Sequence, residues 1–442
     1  MATGWGPQDR TARLEPGAAD AAAGHRARLS AALTGATVVV AAGHAPIRSN
    51  DTTYDFRADS DFVWLTGAAI EGAVLVLSPA AGTHDATLYV PAPQRAGTTG
   101  FFADPMHGEL WVGAVPGPSD WSAALGLPVR PVQDLPDALV PNDRSEAAQT
   151  HRRVLAELRM IKDGWEVEQL SRAVEDTVDG FAAVLAELPA AVAGGGERWL
   201  QGTFDRHART VGNGPGYATI VGSGVHAPTL HWVRCDGPVV EGALLLLDMG
   251  VEERTLYTAD VTRTFPVSGT FTETQRLVHD LVERSHRAAL AAVGPGRDYT
   301  GFHHAAMEVL ARGLSDWGLL PVSVDEALSP AGQHHRRWIV CGVGHHLGLD
   351  VHDCAQSPPD RYLGAAMEPG MVLTVEPGLY FQAHDELVPP ELRGLGVRIE
   401  DDVLVSATGA QVLSDALPID APGLEAWLSG ASRPGPVRRG AG

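Results

Sequence analysis

Short apolar runs stopped by glycine or proline alternate along this chain with longer stretches of helical period. In the first third, residues 36–43 (ATVVVAAG), 72–79 (GAVLVLSP) and 86–93 (ATLYVPAP) have strand length and β-branched or aliphatic content. Residues 144–161 read as a helix. From Trp165 to Leu188, the residues Val167, Leu170, Val174, Val178 and Phe181 fall near one face of a long amphipathic helix, punctuated by the glycines at 194–196. Strands are expected over 217–224 (YATIVGSG), 242–250 (GALLLLDMG) and 260–269 (DVTRTFPVSG). Thr272 with Gln275 three residues later forms a capping box that opens a helix to about Val293, and another helix is expected over 299–319. The last third carries strand runs at 370–381 (GMVLTVEPGLYF) and 395–406 (LGVRIEDDVLVS).

A chain of 442 residues exceeds one ordinary core. A junction near Lys162 divides it into an N-terminal α/β domain over 25–162 and a larger domain over 163–428. Residues 1–24 read as a loose leader and 429–442 as a disordered tail, both rich in small and polar residues.

Charge narrows the partners. Lys and Arg total 33 against 54 Asp and Glu, a net −21, and such a field repels nucleic acid and anionic membranes. No apolar run reaches the roughly 18 residues needed to span a bilayer. The start has no basic segment followed by an apolar one, and only three cysteines occur, so a cytoplasmic location is expected. Phosphate-loop, HExxH and GxSxG patterns are absent.

The chemistry-bearing residues gather in the second half. Asp248 ends one apolar strand and Asp260 begins the next. In a hairpin centred on Arg254 they stand opposite each other, with Cβ atoms roughly 4.5–5.5 Å apart on one face. They also read as ordinary turn-flanking aspartates. Glu376 and Glu400 each sit among strand-forming apolar neighbours, where a carboxylate is costly unless paired or metal-bound. Residues 342–353 (GVGHHLGLDVHD) add three histidines, two of them adjacent. Adjacent residues in an extended segment point to opposite faces, so His345 and His346 cannot both reach one site.

Asp248 in LLLLDMG, Asp260 in TADVTRTFPVSG, His345 in GHHLGLDVHD, Glu376 in TVEPGLY and Glu400 in VRIEDD resemble, in order and context, the metallopeptidase family of pita-bread fold. Residues 54–79 and 159–170 are similar to the N-terminal domain and domain junction of its Xaa-Pro aminopeptidases and prolidases, so the resemblance covers roughly 25–428. It implies an α+β protein: a pita-bread catalytic domain preceded by a smaller, creatinase-like α/β domain.

The resemblance also implies a site. Asp248, Asp260, His345, Glu376 and Glu400 would hold two divalent ions, with Asp260 and Glu400 bridging them and His346 outside the site. Oxygen-rich ligands favour Mn²⁺, with Co²⁺, Zn²⁺ or Fe²⁺ as alternatives. A bridging hydroxide would cleave the bond between an N-terminal residue and a following proline, with Glu376 as proton shuttle. His231 and His352 would assist as catalytic residues. Arg398 and Tyr380 would line the site, although Arg398 reads equally as a counter-charge to Glu400, Asp401 and Asp402. The substrate would be a peptide with proline second. A prolidase acting on dipeptides and a peptide-binding relative without activity are the alternatives. Assembly as a homodimer or tetramer is carried over from the family. One position departs from its pattern: Cys341 stands where a histidine is common.

Overall fold

The computed structural model describes residues 3–142 and 144–430. The chain divides into two compact units, one up to Arg159 and one from Met160 onward.

The first unit is built on a four-stranded sheet in the order Val38–Ala41, Val74–Ala80, Thr83–Val90, Val129–Pro131. The first three strands pair antiparallel and the last runs parallel to Thr83–Val90. The three apolar runs of the sequence are its first three strands. The helix Ser60–Thr66 starts where the Asp59 side chain accepts from the Phe62 amide, and it buries Phe62, Trp64 and Leu65. The helix Glu146–Arg159 closes the unit. One expectation is corrected here. The segment read as a loose leader enters a helix at Ala18, running Ala18–Ala32. Its alanines are strong helix formers, and Ala18, Ala22 and Leu29 are buried. Of the expected tail, all but Ser429 and Gly430 lies outside the described residues.

The second unit opens with helix Gly164–Ala186. Asp163 and Glu166 form a capping box in which each side chain accepts the other's backbone N–H at 2.9 Å. At the triple glycine, Gly194 (φ +134°) takes a conformation that only glycine adopts readily, and a new helix, Gly196–Val211, begins. The sequence reading missed that helix. Its polar run hides a narrow stripe of Leu200, Phe204 and Ala208, all buried. Strands Ile220–Ser223, Leu244–Met249 and Val261–Pro266 form an antiparallel sheet. Leu245 and Leu247 join the main core, while Leu246 packs with Ile220 and Ala227, so an unbroken leucine run finds apolar partners on both faces. Val372–Val375, Asp401–Ser406 and Gly409–Val412 form a second sheet, and Gly378–Tyr380 pairs with Gly396–Arg398. Helices Glu273–Ala292 and Gly301–Asp316 pack on this assembly, the first opened by the expected Thr272–Gln275 box. Trp427, on the final helix Ala421–Leu428, is buried with its ring near Phe181 and Phe265. Among the described residues no single helix is long and apolar enough to cross a membrane.

Candidate metal centre

The hairpin after Leu244 sets the first two carboxylates. Its pairs run Pro266↔Leu244 to Val261↔Met249, so Asp248 stands opposite Thr262 rather than Asp260. The turn is centred one residue later than the sequence suggests, because Glu253 N–H bonds to the Tyr257 carbonyl and Leu256 takes a left-handed φ of 70°. A one-residue shift of the centre moves each partner by two. The face is therefore conserved, and Asp248 and Asp260 become diagonal neighbours on one side of the ribbon. Both are buried.

Glu376 and Glu400 were expected inside strands; each lies at a break instead. Glu376 follows Val372–Val375 and precedes Pro377, which has no N–H for a ladder, so the chain leaves one sheet there and enters the next at Gly378. Glu400 separates Gly396–Arg398 from Asp401–Ser406 and bonds through its own N–H to the Thr262 carbonyl at 3.1 Å. These breaks turn both carboxylates toward the hairpin aspartates. The segment 343–347 lies along Val372–Val375 as an extra edge. The amides of Leu347, Thr374 and Glu376 bond to the carbonyls of Val372, His345 and Val343, each at 2.9 Å. That pairing fixes His345, whose Nε2 lies 3.4 Å from both Asp260 Oδ2 and Glu376 Oε1. Donor atoms of Asp260, His345 and Glu400 fall within 4.8 Å of one another. His346 points the other way. Its ring is buried, stacked at 4.7 Å on Tyr299 and edge-on at 4.8 Å to Tyr362. It is a core residue and lies outside the candidate ligand set, as expected.

So many buried carboxylates resist ionising together. Burial pushes Glu376 up to about 7 against the pull of His345, with Asp260 adding repulsion. Burial and the neighbouring carboxylates push Glu400 well above its usual range, and burial raises Asp248 despite Arg398. For His345 burial opposes the charge, yet the bond to Asp260 and the field of Glu376 raise it to about 9. A concave, oxygen-rich set of this kind fits divalent cations, which would reverse each of these shifts.

Second-rank contacts orient the set. Arg398 spends its guanidinium on three acceptors, donating to Asp248 Oδ2, to Thr262 Oγ1 at 3.0 Å and to Tyr380 Oη at 3.1 Å. It does not pair with Asp401 or Asp402. Asp401 is held instead by buried Arg263 at 2.6 Å, and Asp402 accepts the Asp260 N–H at 3.1 Å. Tyr217 donates to Asp248 Oδ1 at 2.5 Å, and Thr262 donates to Glu400 Oε2 at 2.7 Å. Tyr217, Thr262 and Arg263 escaped the sequence reading. The alternation of Thr262 with Asp260 on one strand face was the available signal for the threonine; nothing local marks the other two. His352 lies edge-on to His345 at 4.3 Å, and burial with the His345 charge lowers its pKa. His231, His352 and Cys341 line one cavity of about 600 Å³ together with Asp248, Glu376 and Arg398. The structure thus brings all nine sequence-derived site residues, Tyr380 among them, to one cavity.

The chain is similar to known proteins along most of its length. Residues 145–407 match metallopeptidase family M24, and residues 22–148 match the aminopeptidase P N-terminal domain. The chain is 45 % identical to Xaa-Pro aminopeptidase 2 of Streptomyces coelicolor over 97 % of its own length and 95 % of that protein. It is 32 % identical to the Xaa-Pro aminopeptidase of Escherichia coli, covering 86 % of this chain and 90 % of that one. The solved structure of Escherichia coli aminopeptidase P with the inhibitor Pro-Leu superposes with a TM-score of 0.82 at 29 % identity, covering 93 % of this chain and 98 % of the other.

Proposed function

Because this chain belongs to metallopeptidase family M24 and carries the aminopeptidase P N-terminal domain, we propose that it is a Xaa-Pro aminopeptidase: a hydrolase that releases the N-terminal residue of peptides whose second residue is proline. The observation that carries this reading is the convergence of Asp248, Asp260, His345, Glu376 and Glu400 on one cavity.

In this reading those five residues hold two divalent ions, and the preponderance of oxygen donors favours Mn²⁺. When bound, the ions lower the pKa of the attacking water and polarise the scissile carbonyl. Glu376 would accept a proton from the attacking water on a carboxylate oxygen and pass it to the imide nitrogen of proline. His352, edge-on to His345, donates to the developing oxyanion, and His231 on the same cavity wall binds the peptide. Arg398 and Tyr217 hold Asp248 in one orientation. A cytoplasmic location and assembly of two or four copies belong to the same proposal. The free cysteines suit a reducing compartment.

The test is hydrolysis of an Ala-Pro-Ala tripeptide against an Ala-Pro dipeptide by protein stripped with chelator and reloaded with Mn²⁺. Metal-dependent cleavage of the tripeptide, abolished in Asp260→Ala, is expected. Cleavage of the dipeptide alone would replace this reading with a prolidase, and no cleavage by protein that retains metal would overturn it.

A further inference from the structure

Beside the metal cavity lies a second one, of about 260 Å³. Helix Gly301–Asp316 and the turn His334–Arg337 supply its basic and imidazole lining, His303 and His304 from the first, His335 and Arg336 from the second, with Tyr299, Thr300 and Gln333 adding polar groups. Cys341, Gly342 and Gly344 line both cavities. The partition is therefore thin, two glycines and a thiol. A Cβ at Gly342 would meet nothing nearer than 4.0 Å, so the backbone there borders open space.

The lining is unusual for this protein. The chain carries a net charge of −21, yet among the described residues no carboxylate lines this cavity. Arg336 donates to the Val340 carbonyl at 2.7 Å and makes no ion pair among the described residues. His303 Nδ1 is shielded from solvent and has no hydrogen-bond partner among them. His335 uses Nδ1 on the Ala327 carbonyl at 2.8 Å. Burial and the positive field of His304, His335 and Arg336 hold His303 down to about 4, so it is neutral and free to share a hydrogen bond. The cavity continues outward past Glu308, but that carboxylate is engaged by Arg312 at 2.5 Å. An exposed guanidinium without an ion pair among the described residues, neighbouring imidazoles and no lining carboxylate make a receptor for an anion.

We infer that this second cavity is a substrate subsite that receives a carboxylate from the part of the peptide beyond proline, held by Arg336 and His303. The inference deepens the proposed function and rests on it for direction. An aminopeptidase of this kind retains one residue on the N-terminal side of the cut, so a chain reaching a second cavity does so on the leaving side. The shared wall at Cys341 fits that side, since Cys341 lies in the field of Glu376, the group assigned to protonate the leaving nitrogen. The carboxylate can be an acidic side chain at the third position or the free C-terminus of a tripeptide.

Three substrates separate these sources: Ala-Pro-Ala-Ala-amide, with no carboxylate; Ala-Pro-Glu-Ala-amide, with an acidic side chain; and Ala-Pro-Ala, with a free C-terminus. The metal-loaded enzyme is expected to favour at least one acid-bearing peptide about tenfold in kcat/KM, through KM, the worth of one charge-assisted hydrogen bond. Arg336→Gln should collapse that ratio. Arg287→Gln, an exposed arginine paired with Glu283 and lining neither cavity, should leave it intact. Calorimetric titration of Pro-Glu and of Pro-Gln-amide, which carries no carboxylate, into the metal-loaded protein reads the pocket without turnover, and tighter binding of Pro-Glu lost in Arg336→Gln is the expected result. Equal kcat/KM and equal binding for acidic and neutral ligands, or a preference that survives Arg336→Gln, would overturn the inference. Failure to cleave any of the three peptides while Pro-Glu still binds through Arg336 would instead count against the proposed function alone.

Discussion

Lys162 Nζ donates to Asp353 Oδ2 at 3.0 Å, and each side chain is only 1 % exposed. Lys162 is the only lysine of the chain. The pair ties the start of the second unit to the segment bearing His345, since the Asp353 amide also bonds to the His346 carbonyl at 2.9 Å. Two buried charges in contact give little net stability, but removing one leaves the other without compensation. Lys162→Met should therefore cost about 3 kcal/mol in denaturant unfolding and weaken metal retention. An unchanged unfolding midpoint would show that Asp353 finds another cation.

Removing the metal should make stability fall as pH rises. Glu376 has an ordinary value of 4.5 and sits at about 7 in the folded, metal-free site. Between those values the folded state binds more protons than the unfolded one, so its stability declines with rising pH across that window. Glu400 and Asp248 are shifted in the same direction. Thermal melts of chelated protein from pH 5 to 8 should show a falling midpoint, and Mn²⁺ at pH 8 should restore it. A midpoint that rises over this range would contradict the charge crowding described for the site.

Glu400→Gln separates stability from metal binding. The amide keeps an acceptor for Thr262 but removes one charge from the crowded set. Metal content after dialysis should drop severalfold, while the chelated variant should melt higher than the chelated parent, by about 1–2 kcal/mol. A variant that both loses metal and melts lower would mean that Glu400 is structural.

Arg398→Lys keeps the charge and loses the fork. A lysine cannot reach Asp248, Thr262 and Tyr380 together in the planar arrangement that the guanidinium satisfies. We expect kcat/KM to fall about 100-fold, or about 3 kcal/mol. Retention of most of the activity would show that only the positive charge matters.

Gly250→Ala tests the hairpin. A Cβ at this position would lie 1.7 Å from the Ala259 carbonyl oxygen and 2.9 Å from the Tyr217 ring. The backbone must move, and with it Asp248 and Asp260 on either side. A loss of roughly 3 kcal/mol or more is expected in thermal unfolding, together with loss of metal. A fully stable, metal-binding variant would show that the ribbon can open without displacing its carboxylates.

Much of this protein follows from the order of its residues alone. Apolar runs of strand length and the Thr272–Gln275 box located most elements of both units, because alternation and capping are local properties of the chain. Glu376 and Glu400 stood out because carboxylates among apolar neighbours are costly and need a reason, and the full set of five candidate ligands came from the order and context shared with a known family. Divergence of adjacent side chains in extended backbone admits only one of His345 and His346 to the site, and the family resemblance chose His345. The tertiary structure decided what depends on distant partners. It set the register that places Asp248 opposite Thr262, since a turn's centre depends on how its backbone closes. It put Glu376 and Glu400 at strand breaks, since only packing of three sheets shows where each ladder ends. Arg398 went to Asp248 and Arg263 to Asp401, 150 and 138 residues apart in the chain. Such long-range pairings are chosen by the fold, and no local pattern encodes them.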